Sequence, residues 1–309
     1  MSIEGRQADG GAIATAQNPE QRRSERMTIA VGILAHDGIV VAADTQETVG
    51  SHKADESKIL IATQGLEQDK AGAIALTGAG DAGYLDSLNQ DLCAAFLKKK
   101  IWSPAALLTK SKNILKDFHN DHVVPYARFP EHDRPQVNLV MGAQFSNNYC
   151  LWTTEKSTLH LSRKYCAVGL GRAYAQVMLK RFWAPMNTVQ AASLAAFVIF
   201  HVKNTVDGCG NQTQIVIIKD GFAKWVGQPN IDLLENAYEN YATHENLMLH
   251  FILDLDLRQT DLKNEMLVFC SRLQQDRKHI HDAQEFTMTS YHAGRPELDQ
   301  PEMVRRPKK

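Results

Sequence analysis

The chain has 309 residues, enough for one large domain or two ordinary ones, and its 44% hydrophobic and 22% charged content excludes a disordered or fibrous protein. A formal net charge of −1 gives no electrostatic argument for nucleic acid or an anionic membrane as a partner. Five cysteines (Cys93, Cys150, Cys166, Cys209, Cys270) lack metal-like or framework spacing, which suits a reducing cytoplasm better than a secreted disulfide scaffold.

The first 26 residues contain no apolar core of signal-peptide length. Residues 1–27 read as a disordered leader, a propeptide or an over-annotated start. Regular structure is expected to begin at Met27. The runs 28–34 and 38–43 are β-rich and apolar at nearly every position, which predicts strands covered on both faces. Asp37-Gly38 between them is a hairpin signal. Residues 58–62 and 71–76 read as a second pair of strands.

Two helices come next. The first, about 81–100, repeats Leu85, Leu88, Leu92 and Phe96 along one face. The second opens on Ser103-Pro104, a cap followed by proline. Strands return at 137–144, 149–154, 159–161 and 165–168, then helices at 172–183 and 187–206, then strands at 212–218 and 222–226. The apolar stretch 191–202 is too short to span a bilayer and is interrupted by Ser193 and His201, so it reads as a buried helix.

Hairpin blocks separated by helix pairs predict antiparallel sheets with helices layered outside, an α+β fold. The expectation is a four-layer α/β/β/α sandwich over 28–228. Residues 229–287 read as a helical C-terminal extension and 288–309 as a disordered tail.

Thr28-Ile29-Ala30-Val31-Gly32 is followed by Asp37-Gly38, by an Ala42-Ala43-Asp44 that ends the second run, and by Thr48 and Gly50. This ordered set resembles the opening of proteasome β-subunits and their bacterial relatives, which are N-terminal-nucleophile hydrolases. The resemblance covers about 200 residues and implies the same four-layer sandwich. It places Thr28 at the nucleophile position and Asp44 beside a lysine. Lys58 fits that lysine, with Lys53 as the competitor; the apolar run after Lys58 favours it.

The chemistry explains these residue types. A threonine hydroxyl is a poor nucleophile until a base removes its proton, and the family uses the threonine's own α-amino group. An ammonium nearby favours the neutral amine and stabilises the developing alkoxide. An internal Thr28 has no such amine. It is exposed either by cleavage of the Met27–Thr28 bond or by translation starting at Met27.

The resemblance assigns the oxyanion donor to the backbone at Gly78 and support of the amine to Asp207. It matches Glu47, Thr48, Glu56, Leu76 and Gly80 to substrate-binding positions. Two serines of the family pattern are replaced here, by Leu170 and Cys209. The implied activity is threonine-type endopeptidase or amide hydrolysis, without a cofactor or metal, on unfolded protein or peptide. The implied setting is a cytoplasmic homo-oligomer, ring or helical, with any unfoldase partner unidentified and with no nucleic acid or membrane. A non-catalytic structural subunit of such an assembly is the alternative.

Taken singly, Thr28 is an ordinary strand start, Asp44 a turn cap, Lys58 a solvated charge and Cys209 a small buried thiol. Gly78-Ala79-Gly80-Asp81-Ala82-Gly83 also spells a dinucleotide fingerprint, the remote alternative of an oxidoreductase. The chain then runs into Lys98-Lys99-Lys100 and another helix, where the fingerprint requires a strand ending in an acid. The pairs His119/His122 and His279/His281 read as surface histidines near helix ends.

Overall fold

A computed structural model describes residues 28–49, 52–64, 72–98, 103–130, 134–254 and 258–293, with the backbone alone for 47–49, 52–54, 241–242, 286 and 288–293. The expected leader 1–27, Gly50 and the chain from 294 lie outside the described residues.

Strands β1 (Ile29–Ala35) and β2 (Gly38–Asp44) form a hairpin closed by His36 and Asp37, where the Asp-Gly signal predicts it. With β10 (Tyr165–Gly169), β11 (Thr213–Lys219) and β12 (Phe222–Trp225) they build an antiparallel sheet in the order β10-β1-β2-β11-β12. The second sheet runs β5-β6-β7-β8-β9, from β5 (Leu60–Gln64), β6 (Gly72–Gly80), β7 (Val137–Phe145), β8 (Asn148–Glu155) and β9 (Thr158–Ser162). Between β2 and β5 a small hairpin, β3 (Gln46–Val49) and β4 (His52–Asp55), occupies a stretch with no apolar alternation to betray it.

Side-chain alternation along β1 and β2 explains their unbroken apolar sequence. Ile29, Val31, Ile33, Val40 and Ala42 face one layer of helices, while Ala30, Ile39, Val41 and Ala43 face the other sheet. Helices α3 (Arg172–Phe182) and α4 (Thr188–Thr205) cover the first sheet; α1 (Ala82–Lys98) and α2 (Pro104–Phe118) cover the second. Three apolar layers thus hold four layers of structure together: a four-layer α/β/β/α sandwich.

The cap read at Ser103 operates, and a second, at Asn187, joins it. The Ser103 hydroxyl accepts from the Ala106 N–H at 3.2 Å, and Asn187 and Gln190 form a reciprocal capping box at the start of α4. Small residues of α4, Ala191, Ala192, Ala195 and Ala196, let it sit close against β1 and β2.

Helix α5 (Gln228–Glu239) is no separate appendage. Its Ile231, Leu234 and Tyr238 join the core around α4, and the Tyr238 hydroxyl donates to the Ser193 carbonyl at 2.8 Å. Beyond it come α6 (Tyr241–Leu253) and α7 (Gln259–Ala293), the latter continuing past the position where sequence composition turns tail-like. No described helix is long and apolar enough to cross a membrane.

The dinucleotide reading fails on topology. Strand β6 pairs antiparallel with both β5 and β7, whereas the fingerprint needs a parallel βαβ unit. Gly78 is small for another reason: a Cβ there would lie 2.3 Å from the Asn138 carbonyl oxygen and 2.8 Å from Leu85.

Candidate active site

Thr28 precedes β1, and the register Ile29↔Gly169 sets it against the end of β10. Gly169 has φ +99°, and a Cβ there would stand 2.2 Å from the Thr28 carbonyl oxygen and 3.1 Å from Ala79. Only glycine permits that approach. The ends of β1, β6 and β10 therefore meet at Thr28.

Asp44 ends β2 and points back at Thr28. It is fully buried, which for a carboxylate demands several partners, and it has four. Its Oδ1 accepts from the Thr28 hydroxyl, from the Ile29 N–H at 3.2 Å and from Lys58 Nζ at 2.9 Å. Its Oδ2 accepts from the Gly210 N–H at 2.9 Å.

Lys58 stands ahead of β5, held there by Gln214 of β11, whose Oε1 accepts from the Lys58 N–H at 3.1 Å and the Ser57 hydroxyl at 3.3 Å. Its ammonium donates to Asp44, to the Thr28 hydroxyl and to the Gln46 carbonyl. With only 12% of its side chain exposed, the lysine is a nearly desolvated cation aimed at one hydroxyl oxygen. Two residues far apart in sequence, Asp44 and Lys58, thus converge on the Thr28 oxygen. The competing Lys53 sits in β4 opposite Thr48, and its side chain is outside the described residues.

Other expected residues are placed differently. Asp207 lies in the turn after α4, exposed and outside the Thr28–Asp44–Lys58 cluster; Gly208, at φ +95°, carries the chain onward, and Gly210 reaches Asp44. Leu76 is fully buried against the α1/α2 layer because it shares a face of β6 with Ile74, so it belongs to the core, not to a substrate wall. Glu56 is exposed, with its N–H donated to the Thr45 carbonyl at 3.0 Å. Glu47 and Thr48 lie on β3, next to Gln46, with side chains outside the described residues. Gly80, at φ +127°, ends β6 where a Cβ would collide with the Gln136 carbonyl oxygen.

Two contributors escaped sequence reading. Gln46 is buried, and its Nε2 donates to the Gly208 carbonyl at 3.0 Å while its own carbonyl receives Lys58. A Cβ at Gly210 would stand 2.3 Å from Gln46 Oε1, so any other residue there would have to shift the Gln46 amide. Their signal, a polar residue two after Asp44 and a glycine-rich turn, was present but unspecific.

Cys209 accepts a hydrogen bond from the Gly171 backbone, so it links the two turns in which the family pattern carries serines. Burial first, and then the charge of Asp44, push its thiol up to about 12. It is no thiolate nucleophile. Of the histidines, His122 stacks with Tyr84 and Phe118, and His281 faces Asp282 and Glu285. No group of three or more metal-ligating side chains converges among the described residues.

No family model matches this sequence, and no curated protein matches it. Its fold is nonetheless matched among solved structures. Anbu (ancestral β-subunit) from Yersinia bercovieri aligns with TM-score 0.58 at 15% identity, over 73% of this chain and 97% of that one. The Gly-1 mutant of Anbu from Hyphomicrobium sp. strain MC1 aligns with TM-score 0.57 at 15% identity, over 71% and 96%. Anbu from Pseudomonas aeruginosa, solved as a helical assembly, gives 0.56 at 14% identity, over 72% and 96%. The chain therefore shares its fold with the Anbu (ancestral β-subunit) structures.

Proposed function

We propose that this protein is an N-terminal-threonine hydrolase of the proteasome-like type, cleaving peptide or other amide bonds through an acyl-enzyme on Thr28. One observation carries the reading: a largely shielded Lys58 ammonium and a buried Asp44 carboxylate both engage the Thr28 hydroxyl. An ordinary strand-start threonine has no use for a desolvated ion pair, which is costly to bury without compensation.

Once Thr28 is the first residue, its α-amino group takes the hydroxyl proton as Oγ1 attacks the substrate carbonyl. Lys58 stabilises the oxygen as it becomes an alkoxide, and Asp44 holds the ammonium in place. A backbone N–H near Gly78 receives the oxyanion. The amine product leaves with the proton, and water attacks the ester by the same route. The Gly210 amide orients Asp44, and Asp207, earlier in the same turn and exposed, is the expected support of the amine. The hairpin β3–β4, with Glu47, Thr48 and then Glu56, is the candidate wall for an extended substrate. Assembly into rings or helices of identical subunits is inferred by analogy with the helical Anbu assembly.

The departures at Leu170 and Cys209, together with the outward-facing Asp207, favour a second reading as a structural subunit that assembles without catalysis. Intact mass and N-terminal sequencing of the purified protein, with amide hydrolysis measured beside Thr28→Ala, decide between them. A chain beginning at Thr28, with hydrolysis abolished in the variant, is expected. A chain in which residue 27 stays joined to Thr28, or activity untouched by the substitution, refutes the enzyme.

A further inference from the structure

Asp44 can serve Thr28 and Lys58 through Oδ1 only if its carboxylate plane is fixed, and Oδ2 is held by the Gly210 N–H. That amide belongs to the turn between α4 and β11, where Gly208 (φ +95°) uses glycine's freedom and Asn211 (φ +59°) takes a left-handed conformation uncommon for a residue with a side chain. Something must over-determine such a turn.

Glu235, on α5, sits at that place. Its Oε1 accepts from Lys203 Nζ at 2.7 Å and from the Thr213 hydroxyl at 2.5 Å. Lys203, in the last turn of α4, also donates to the Asn211 carbonyl at 3.0 Å. Thr213 opens β11 and is the cross-strand neighbour of Asp44 itself. The carboxylate therefore ties the helix before the turn to the strand after it, and Lys203 ties in the turn itself. The grip is shielded: the Lys203 and Glu235 side chains are 9% and 18% exposed, and Thr213 is fully buried. Screening by water and salt is weak there.

We propose that Glu235 is a positioning residue of the Thr28 centre, acting through Lys203 and Thr213 to aim the Gly210 amide at Asp44. This rests on the reading of Thr28 as nucleophile. It makes the C-terminal helical region part of the catalytic apparatus, because a residue beyond the expected 28–228 domain sets the geometry at Asp44. Losing the grip frees the turn, the Gly210 amide drifts from Oδ2, and the carboxylate rotates away from the arrangement that holds Lys58 on Thr28.

The test reacts the full purified protein with an acylating β-lactone and follows the Thr28 adduct by mass spectrometry over a range of probe concentrations. Glu235→Ala is expected to slow the limiting acylation rate about tenfold to a hundredfold, the scale of a small misplacement of reacting groups, with the half-saturating concentration little changed. Glu235→Gln keeps the acceptor oxygen for Thr213 and is expected to restore most of the rate. Lys203→Met, which leaves α5 intact, is expected to act in the same direction and decides the matter should Glu235→Ala fail to fold. Amide hydrogen exchange across 207–213 is expected to quicken in the slowed variants.

A reactive wild type whose folded variants acylate at the wild-type rate, or whose 207–213 exchange is unaltered, overturns this inference alone. A wild type unreactive at Thr28 overturns the nucleophile reading and this inference with it.

Discussion

Replacing Lys58 by methionine removes the ammonium that faces Asp44 at 2.9 Å and keeps most of the side-chain volume. Asp44, with no exposure to water, is then a buried carboxylate without its counter-charge. Breaking such a pair from one side costs about 3–5 kcal/mol. Here the amides of Ile29 and Gly210 and the Thr28 hydroxyl remain, so the lower end, about 3 kcal/mol, is expected. For a domain of this size that corresponds to a fall in Tm of about 6–12 °C.

Asp44→Asn strands the lysine instead, and the double variant strands neither. Its stability is expected to recover by about 1–3 kcal/mol relative to the sum of the single losses. Hydrolysis obeys a different rule. Each single variant is expected to lose about 10²–10⁴-fold, and the double variant no less, because the groups act on one hydroxyl as a unit. Urea denaturation and amide hydrolysis on the same four proteins provide the assay. Additive stability losses, or a Lys58→Met protein within about tenfold of the wild-type rate, refute the assignment of this pair to Thr28.

Two further outcomes are expected. Iodoacetamide at pH 8 is expected to label the exposed Cys270 of the folded protein and spare Cys209; a thiol at about 12 is only ~10⁻⁴ ionised there, and Cys209→Ser, which keeps an acceptor for the Gly171 amide, is expected to leave Thr28 acylation in place. Burial tends to raise the Asp37 carboxyl, but hydrogen bonds from Lys219 at 2.8 Å and from the Thr188 N–H at 2.7 Å outweigh it and hold it below its ordinary value of 3.8. A depressed carboxyl contributes stability above its unfolded value and loses it as pH falls through the folded one. Asp37→Asn is therefore expected to cost about 1 kcal/mol near pH 7 and progressively less below about pH 4, by urea denaturation at both pH values.

The sequence by itself determined the layers. Unbroken apolar runs at β1 and β2 can exist only where both faces are covered, and the hairpin at Asp37-Gly38 together with paired helices excluded a parallel sheet. Local chemistry also set the helix starts at Ser103 and Asn187, since caps act within one turn. Thr28, Asp44 and Lys58 were legible as candidates because their order along the chain matched a known pattern. What no local signal carries is distance across the fold.

Tertiary structure alone brought the Gly210 N–H to Asp44, since that depends on two left-handed residues in one turn. It buried Leu76 against helices, because the register of β6 assigns its side chains to alternate faces. Only the fold could tie Glu235 to β11, the strand paired with that of Asp44, across a boundary that composition had read as the end of the domain. Hydrogen bonds are short-ranged and directional, so which of several acids and amides completes a site is settled by packing, not by pattern.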